Sequence, residues 1–73
     1  MDLLIIKHKD MYVRVKDAAY FLVGLDKASV FPLAKLETVR EHVQTLREQG
    51  FDPVAIYRLK LSEEPYDPNH KLF

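Results

Sequence analysis

The sequence predicts a small α+β domain with the element order ββ(β)αβ, in which one helix packs on one face of a mainly antiparallel sheet. Two observations predict this class: short apolar or alternating runs near both ends of the chain, and one apolar stripe with helical spacing between them. A chain of 73 residues is long enough for one domain. We expect residues 1–62 to form that domain and residues 63–73 to form a C-terminal tail, because Pro65 and Pro68 disfavour regular structure there.

Four strands are predicted, three before the helix and one after it. Residues 3–7 are dominated by Leu and Ile, which is typical of a strand buried on both faces. Met11–Lys16 alternates between apolar and polar residues, as a half-buried strand does, and the polar segment between these two runs predicts a hairpin. Ala19–Val23 is a third apolar run, followed by a connector over residues 24–30. The last strand is expected over residues 54–61, apolar on one face and partly basic on the other.

Residues 32–49 form the predicted helix. Apolar residues recur there at intervals of three and four, which places them on one stripe. The stripe consists of Leu36, Val39, Val43 and Leu46. Pro32 suits the first helical position, where its missing N–H costs nothing. Gly50 suits a left-handed cap after the last turn, with Phe51 folding back on Leu46.

Apolar side chains on both faces of several strands predict self-association. A single helix covers only one face of a sheet, and large apolar patches left in water usually mark interfaces. The chain has no cysteine, so neither a disulfide nor a thiolate metal site can stabilise so short a domain. A second copy of the chain is the simplest cover, and twofold dimers are the commonest form. The residues expected on this face are Leu4, Ile6, Tyr20, Leu22, Val54 and Ile56.

Formal charge argues against a general affinity for nucleic acid. The chain carries 11 basic and 11 acidic side chains, whereas nucleic-acid binders usually have a basic excess. A local patch remains an alternative, because basic residues near Tyr12 could contact phosphates while the ring stacks on a base. Convergence of these cations on one face would favour nucleic acid, and scatter would favour protein binding. The candidate patch consists of Lys7, Lys9, Arg14, Lys16, Arg58 and Lys60.

Motifs for catalysis, cofactors or metals are missing from the sequence. His8, His42 and His70 fall in a turn, on the helix and in the tail, and nothing supplies a third metal ligand. The hydroxyl residues have no motif that provides an adjacent base, and no dinucleotide or phosphate-loop pattern occurs. We therefore expect a protein that is not an enzyme and needs no cofactor. A small-ligand-binding or enzymatic dimer, with its pocket between subunits, stays an alternative.

The leading prediction is a non-enzymatic, self-associating protein–protein interaction or regulatory module. The tail adds a candidate partner-binding segment with Tyr66, Leu72 and Phe73 as apolar anchors, although packing on the protein itself is the simpler interpretation. The apolar run at residues 3–6 is too short for a membrane span or a signal-peptide core. A cytoplasmic protein that does not enter the membrane is expected.

Overall fold

A computed structural model describes residues 2–63 and 65–66. Within these residues, five strands form one antiparallel sheet and one α-helix packs against it, which confirms the predicted α+β class. The elements are β1 (Asp2–His8), β2 (Met11–Lys16), β3 (Ala19–Val23), β4 (Val30–Pro32), α1 (Leu36–Glu48) and β5 (Val54–Lys60).

Strand β1 is the centre of the sheet. It pairs with β5 along its whole length, from Asp2 opposite Lys60 to His8 opposite Val54. Its other edge is shared, because β2 pairs with the C-terminal end of β1 and β4 pairs with its N-terminal half. In the described part of the chain, β3 pairs only with β2. Strands β3, β5 and the three-residue β4 each pair with one strand only among the described residues, so each has one edge without a strand partner.

The connector contains a strand that the sequence did not predict. Residues 24–30 were expected to be irregular, but Val30 begins β4, which pairs antiparallel with β1. Ser29, just before β4, bonds to the part of β2 that does not pair with β1. Its N–H donates to the Val13 carbonyl at 3.1 Å, and its hydroxyl accepts the Val15 N–H at 2.8 Å. A three-residue strand is too short to show an alternating pattern, so the sequence alone could not reveal it.

The helix confirms the predicted stripe but begins later than expected. Val39, Val43 and Leu46 are buried and Leu36 is half-buried, while the charged residues between them are exposed. The chain first makes a 3-10 turn at Leu33–Lys35, so Pro32 precedes that turn instead of opening α1.

The C-terminus of α1 has the predicted left-handed cap. Gly50 has φ 94°, a conformation that favours glycine because it has no Cβ. The Gly50 N–H donates to the Arg47 carbonyl at 3.1 Å, and the Phe51 N–H donates to the Leu46 carbonyl at 3.0 Å. These two bonds are those of a Schellman motif, and Phe51 packs against the core cluster that contains Leu46.

The core lies between α1 and one face of the sheet, and this corrects the predicted self-association face. Leu4, Ile6 and Val54 are buried in that core, and Tyr20 and Ile56 pack against it. These five side chains are held within one subunit, and only Leu22 of the predicted set is exposed. The error has a physical cause: a strand that is apolar on both faces does not reveal which face the helix covers.

Candidate binding surfaces

The face of the sheet that points away from α1 is defined by strand register. Side chains alternate along a strand, and residues opposite each other on neighbouring strands share a face. Because Leu4 and Ile6 point toward α1, Ile5 and Lys7 point away from it, together with their partners Tyr57 and Tyr12. We call this surface the open face. Its aromatic and cationic members are Lys7, Tyr12, Arg14, Lys16, Phe21 and Tyr57.

The open face is not a bare apolar sheet. Ile5, at its centre, is only 2% exposed although no helix covers it, and its cross-strand neighbours are Tyr57 and Val30. Leu3 and Leu59, which pair with each other, are half-buried. The large side chains of the face thus shield its middle, and less apolar surface remains in water than the sequence predicted.

Lys7 lies between two tyrosine rings. Its Nζ is 5.4 Å from the centroid of the Tyr12 ring and 5.3 Å from that of Tyr57, distances at which a cation is attracted to the ring face. Neither ion pair among the described residues involves Lys7, so its charge is not matched by a carboxylate there. A pocket of about 130 Å³ beside it is lined by Lys7, Lys9, Pro53, Ala55 and Tyr57.

The candidate basic patch divides between the two faces of the sheet. Lys7, Arg14 and Lys16 lie on the open face, and Lys9 lies in the turn next to it. Arg58 lies on the opposite face, where its Nε donates to Asp2 Oδ2 at 3.0 Å and its Nη2 contacts the same oxygen. Lys60 is directly opposite Asp2 on that face. Half of the predicted patch therefore converges, and the part on β5 does not join it.

Carboxylates are segregated from the open face. None of the side chains that β1 to β5 direct to this face is Asp or Glu. Asp10 and Asp17 lie in the two hairpin turns, and Asp2 is paired with Arg58 on the other face. Zero net charge thus coexists with a locally positive surface.

The two longer outer strands, β3 and β5, differ in their chemistry. Strand β5 carries Arg58 and Lys60 near its end, whereas β3 has no charged residue. Phe21 of β3 is 49% exposed on the open face, and Leu22 is 41% exposed on the helix side. An uncharged apolar edge strand is a ready template for pairing with another strand. The sequence prediction included Leu22 but missed Phe21 and Tyr57, since alternation assigns faces within a strand and not between strands.

The two described histidines have structural contacts. His8 Nδ1 is 2.8 Å from the Pro53 carbonyl oxygen, and its ring meets Phe51 edge-on. His42 Nδ1 is 2.9 Å from the Tyr20 hydroxyl, and its ring lies 5.8 Å from that of Phe31. Among the described residues, no group of three or more His, Cys, Asp and Glu side chains could hold a metal ion. His70 lies outside the described residues.

A surface groove runs along the junction of α1 and β5. Its volume is about 400 Å³, and it is lined by Arg40, Val43, Gln44, Arg47, Ala55 and Ile56. The side chains of both arginines are already engaged: Arg40 pairs with Glu37 at 3.1 Å, and Arg47 donates to the Val54 carbonyl at 3.2 Å. We assign no ligand to this groove.

The described residues include only one of the three predicted anchors of the tail. Tyr66 is almost fully exposed, while Leu72 and Phe73 lie outside the described residues. In the part of the chain that the structure describes, no helix is both long and apolar enough to cross a membrane. Comparisons with protein-family models, with curated proteins and with solved structures find no match to this chain.

Proposed function

We propose that this protein is a non-enzymatic interaction module that self-associates through the free edge of β3. The observation that carries the proposal is the composition of that strand, Ala19–Val23, which is entirely apolar or aromatic. Sheet proteins commonly protect their edges with charges, prolines or bulges. Strand β3 contains no charged residue and no proline. Its backbone pairs on one side only among the described residues.

Strand β3 is complementary to a second copy of itself. Antiparallel pairing centred on Phe21 places Phe21 opposite Phe21 of the other copy, Tyr20 opposite Leu22, and Ala19 opposite Val23. Aromatic and aliphatic cross-strand pairs each contribute about 0.2–1 kcal/mol. No like charges meet anywhere along this ladder. The pairing is isologous, as a twofold dimer requires.

Charge favours this edge over the open face as the contact between copies. Two open faces stacked on each other would bring Lys7, Arg14 and Lys16 of one copy close to the same cations of the other. Like charges placed in contact are destabilising. Edge pairing avoids this cost, and its twofold axis is perpendicular to the sheet. The two sheets then join into one, with both open faces on the same side.

The test uses two leucines with similar exposure. Sedimentation equilibrium over a hundredfold concentration range is expected to show a monomer–dimer equilibrium for the unmodified chain. Leu22→Lys places a charge on the β3 edge and is expected to shift the equilibrium to monomer. Leu33→Lys, at a residue that is 45% exposed but lies in the turn before α1, is the matched control and should still dimerise. An 8.6 kDa monomer for the unmodified chain at every concentration would overturn the proposal.

A further inference from the structure

We infer that the open face binds single-stranded nucleic acid, with its cations on the phosphates and its aromatic rings stacked on bases. The two kinds of side chain alternate across the sheet. Lys7 on β1 is directly opposite Tyr12 on β2, and Tyr57 on β5 is its diagonal neighbour, opposite Ile5, so that the ammonium group of Lys7 lies between the two rings. Arg14 on β2 is directly opposite Phe21 on β3, which extends the pattern to the edge of the sheet.

This pattern matches the repeating chemistry of a single strand. Each nucleotide offers one phosphate and one planar base, and sequence-independent binders use a basic groove with aromatic stacking platforms. An acidic peptide supplies negative charge but has no regular series of planar rings. A duplex hides its bases in the stack, and its grooves are normally read by an inserted helix or ribbon instead of a broad sheet face.

The local charge supports an anionic ligand in spite of the zero net charge. Among the described residues, the strands direct Lys7, Arg14 and Lys16 to the open face and direct no carboxylate there. The pocket of about 130 Å³ beside Tyr57 is lined by both Lys7 and Lys9, so one phosphate can sit near two ammonium groups. All these groups belong to one copy of the chain. The inference therefore does not rest on pairing through β3.

The experiment is a fluorescence-anisotropy titration with labelled homopolymers of about 12 nucleotides, within the range that a small single-strand site covers. The probes are oligo-dT, oligo-U and a duplex of equal length. We expect binding to the single strands and weaker binding to the duplex. The logarithm of the affinity should fall against the logarithm of salt concentration with a slope of about −2, because three phosphates are neutralised. Comparison of oligo-dT with oligo-U distinguishes DNA from RNA as the preferred ligand.

Two matched pairs of variants locate the site. Replacement of Lys7, Arg14 and Lys16 by Gln should abolish binding, whereas replacement of Lys27, Lys35 and Lys60 by Gln changes the net charge equally and should have little effect. Tyr57→Leu should weaken binding about 5- to 100-fold through the loss of one stacking platform. Tyr66→Leu, at a tyrosine after the last strand, should leave it unchanged. Circular dichroism confirms that each variant is folded.

Three outcomes would overturn the inference. The first is no anisotropy change at about 100 μM protein in low salt, where phosphate contacts are strongest. The second is an equal loss of affinity in the two triple Gln variants, which would indicate general electrostatic attraction. The third is binding to oligo-glutamate that exceeds binding to both single strands, which would assign the face to an acidic protein partner.

Discussion

The two faces of the sheet are built from the same strands but differ in what covers them. On the helix side, Leu4 and Ile6 are buried beneath the apolar stripe of α1. On the open face, Ile5 is equally buried, but aromatic and half-exposed apolar residues of the sheet itself surround it. The first face contributes most to stability, because it holds the buried hydrophobic cluster between the sheet and α1. The open face is also partly buried, but its aromatic rings and cations remain accessible to solvent.

A similar contrast separates the two longer outer strands, β3 and β5. The β5 edge carries Arg58 and Lys60, charges that discourage another strand from pairing. The β3 edge carries none, and Phe21 and Leu22 expose apolar surface on either side of it. This difference between the two edges is the basis of the proposal that copies of the chain pair through β3.

The largest expected effect compares two leucines in different environments. Leu46 of α1 is 0% exposed, so Leu46→Ala should destabilise the fold by about 2–5 kcal/mol. Leu22→Ala removes the same atoms from a residue that is 41% exposed, and should cost about 1 kcal/mol or less. Urea denaturation at low protein concentration measures both. Equal losses of stability would show that Leu46 in the core and Leu22 at the β3 edge do not differ in burial.

A smaller effect is expected at the junction between β2 and β4. Ser29→Ala leaves the half-buried Val15 N–H without the hydroxyl that it donates to, and the loss should be near the lower end of the roughly 1–3 kcal/mol that an unsatisfied buried donor costs. Ser62→Ala, at an exposed serine after β5, should be neutral within about 0.5 kcal/mol. Thermal denaturation of the two variants gives the comparison. A neutral Ser29→Ala would mean that water replaces the hydroxyl and that this bridge does not hold the diverging strands.

The smallest effect concerns the turn that leads into β3. Asp17 and Ala18 both have positive φ, 51° and 61°, as a type I′ hairpin turn requires. Left-handed backbone costs an ordinary residue about 1–2 kcal/mol, partly offset by the entropy that glycine loses on folding. Ala18→Gly should therefore stabilise the fold by about 0.5–1 kcal/mol. Ala34→Gly, in the turn before α1, should have the opposite sign, and a shared sign would contradict the turn assignment.

The sequence predicted the elements better than their arrangement. The stripe of α1 and the cap at Gly50 followed from helical spacing and from the conformational freedom of glycine, both of which are local properties. The predicted interface placed Leu4 and Ile6 on the wrong face, because their strand is apolar on both sides and only packing decides which side meets α1. Strand β4 was missed because it is three residues long and is held by pairing with β1.

The open face was predictable only in part. The cations of the first hairpin, Lys7, Arg14 and Lys16, do share a surface: Arg14 and Lys16 alternate with apolar residues on β2, and the hairpin pairs Lys7 with Tyr12 of the same face. Arg58 was assigned to the same patch, but β5 pairs with β1 in a register that places it on the helix side, beside Asp2. Tyr57 joins the face through that same pairing, and Phe21 joins it through the pairing of β3 with β2. Register between distant strands depends on tertiary structure, which the alternation within one strand does not contain.

Site-directed cross-linking tests the pairing of β3 most directly. The chain has no cysteine, so Phe21→Cys introduces the only thiol. Antiparallel pairing centred on residue 21 brings its two Cβ atoms to about 4.5–5.5 Å, close to the range that a disulfide spans. We predict a covalent dimer on mild oxidation of Phe21→Cys and little product from Leu33→Cys under the same conditions. Equal yields from the two variants, or no dimer from Phe21→Cys, would contradict it.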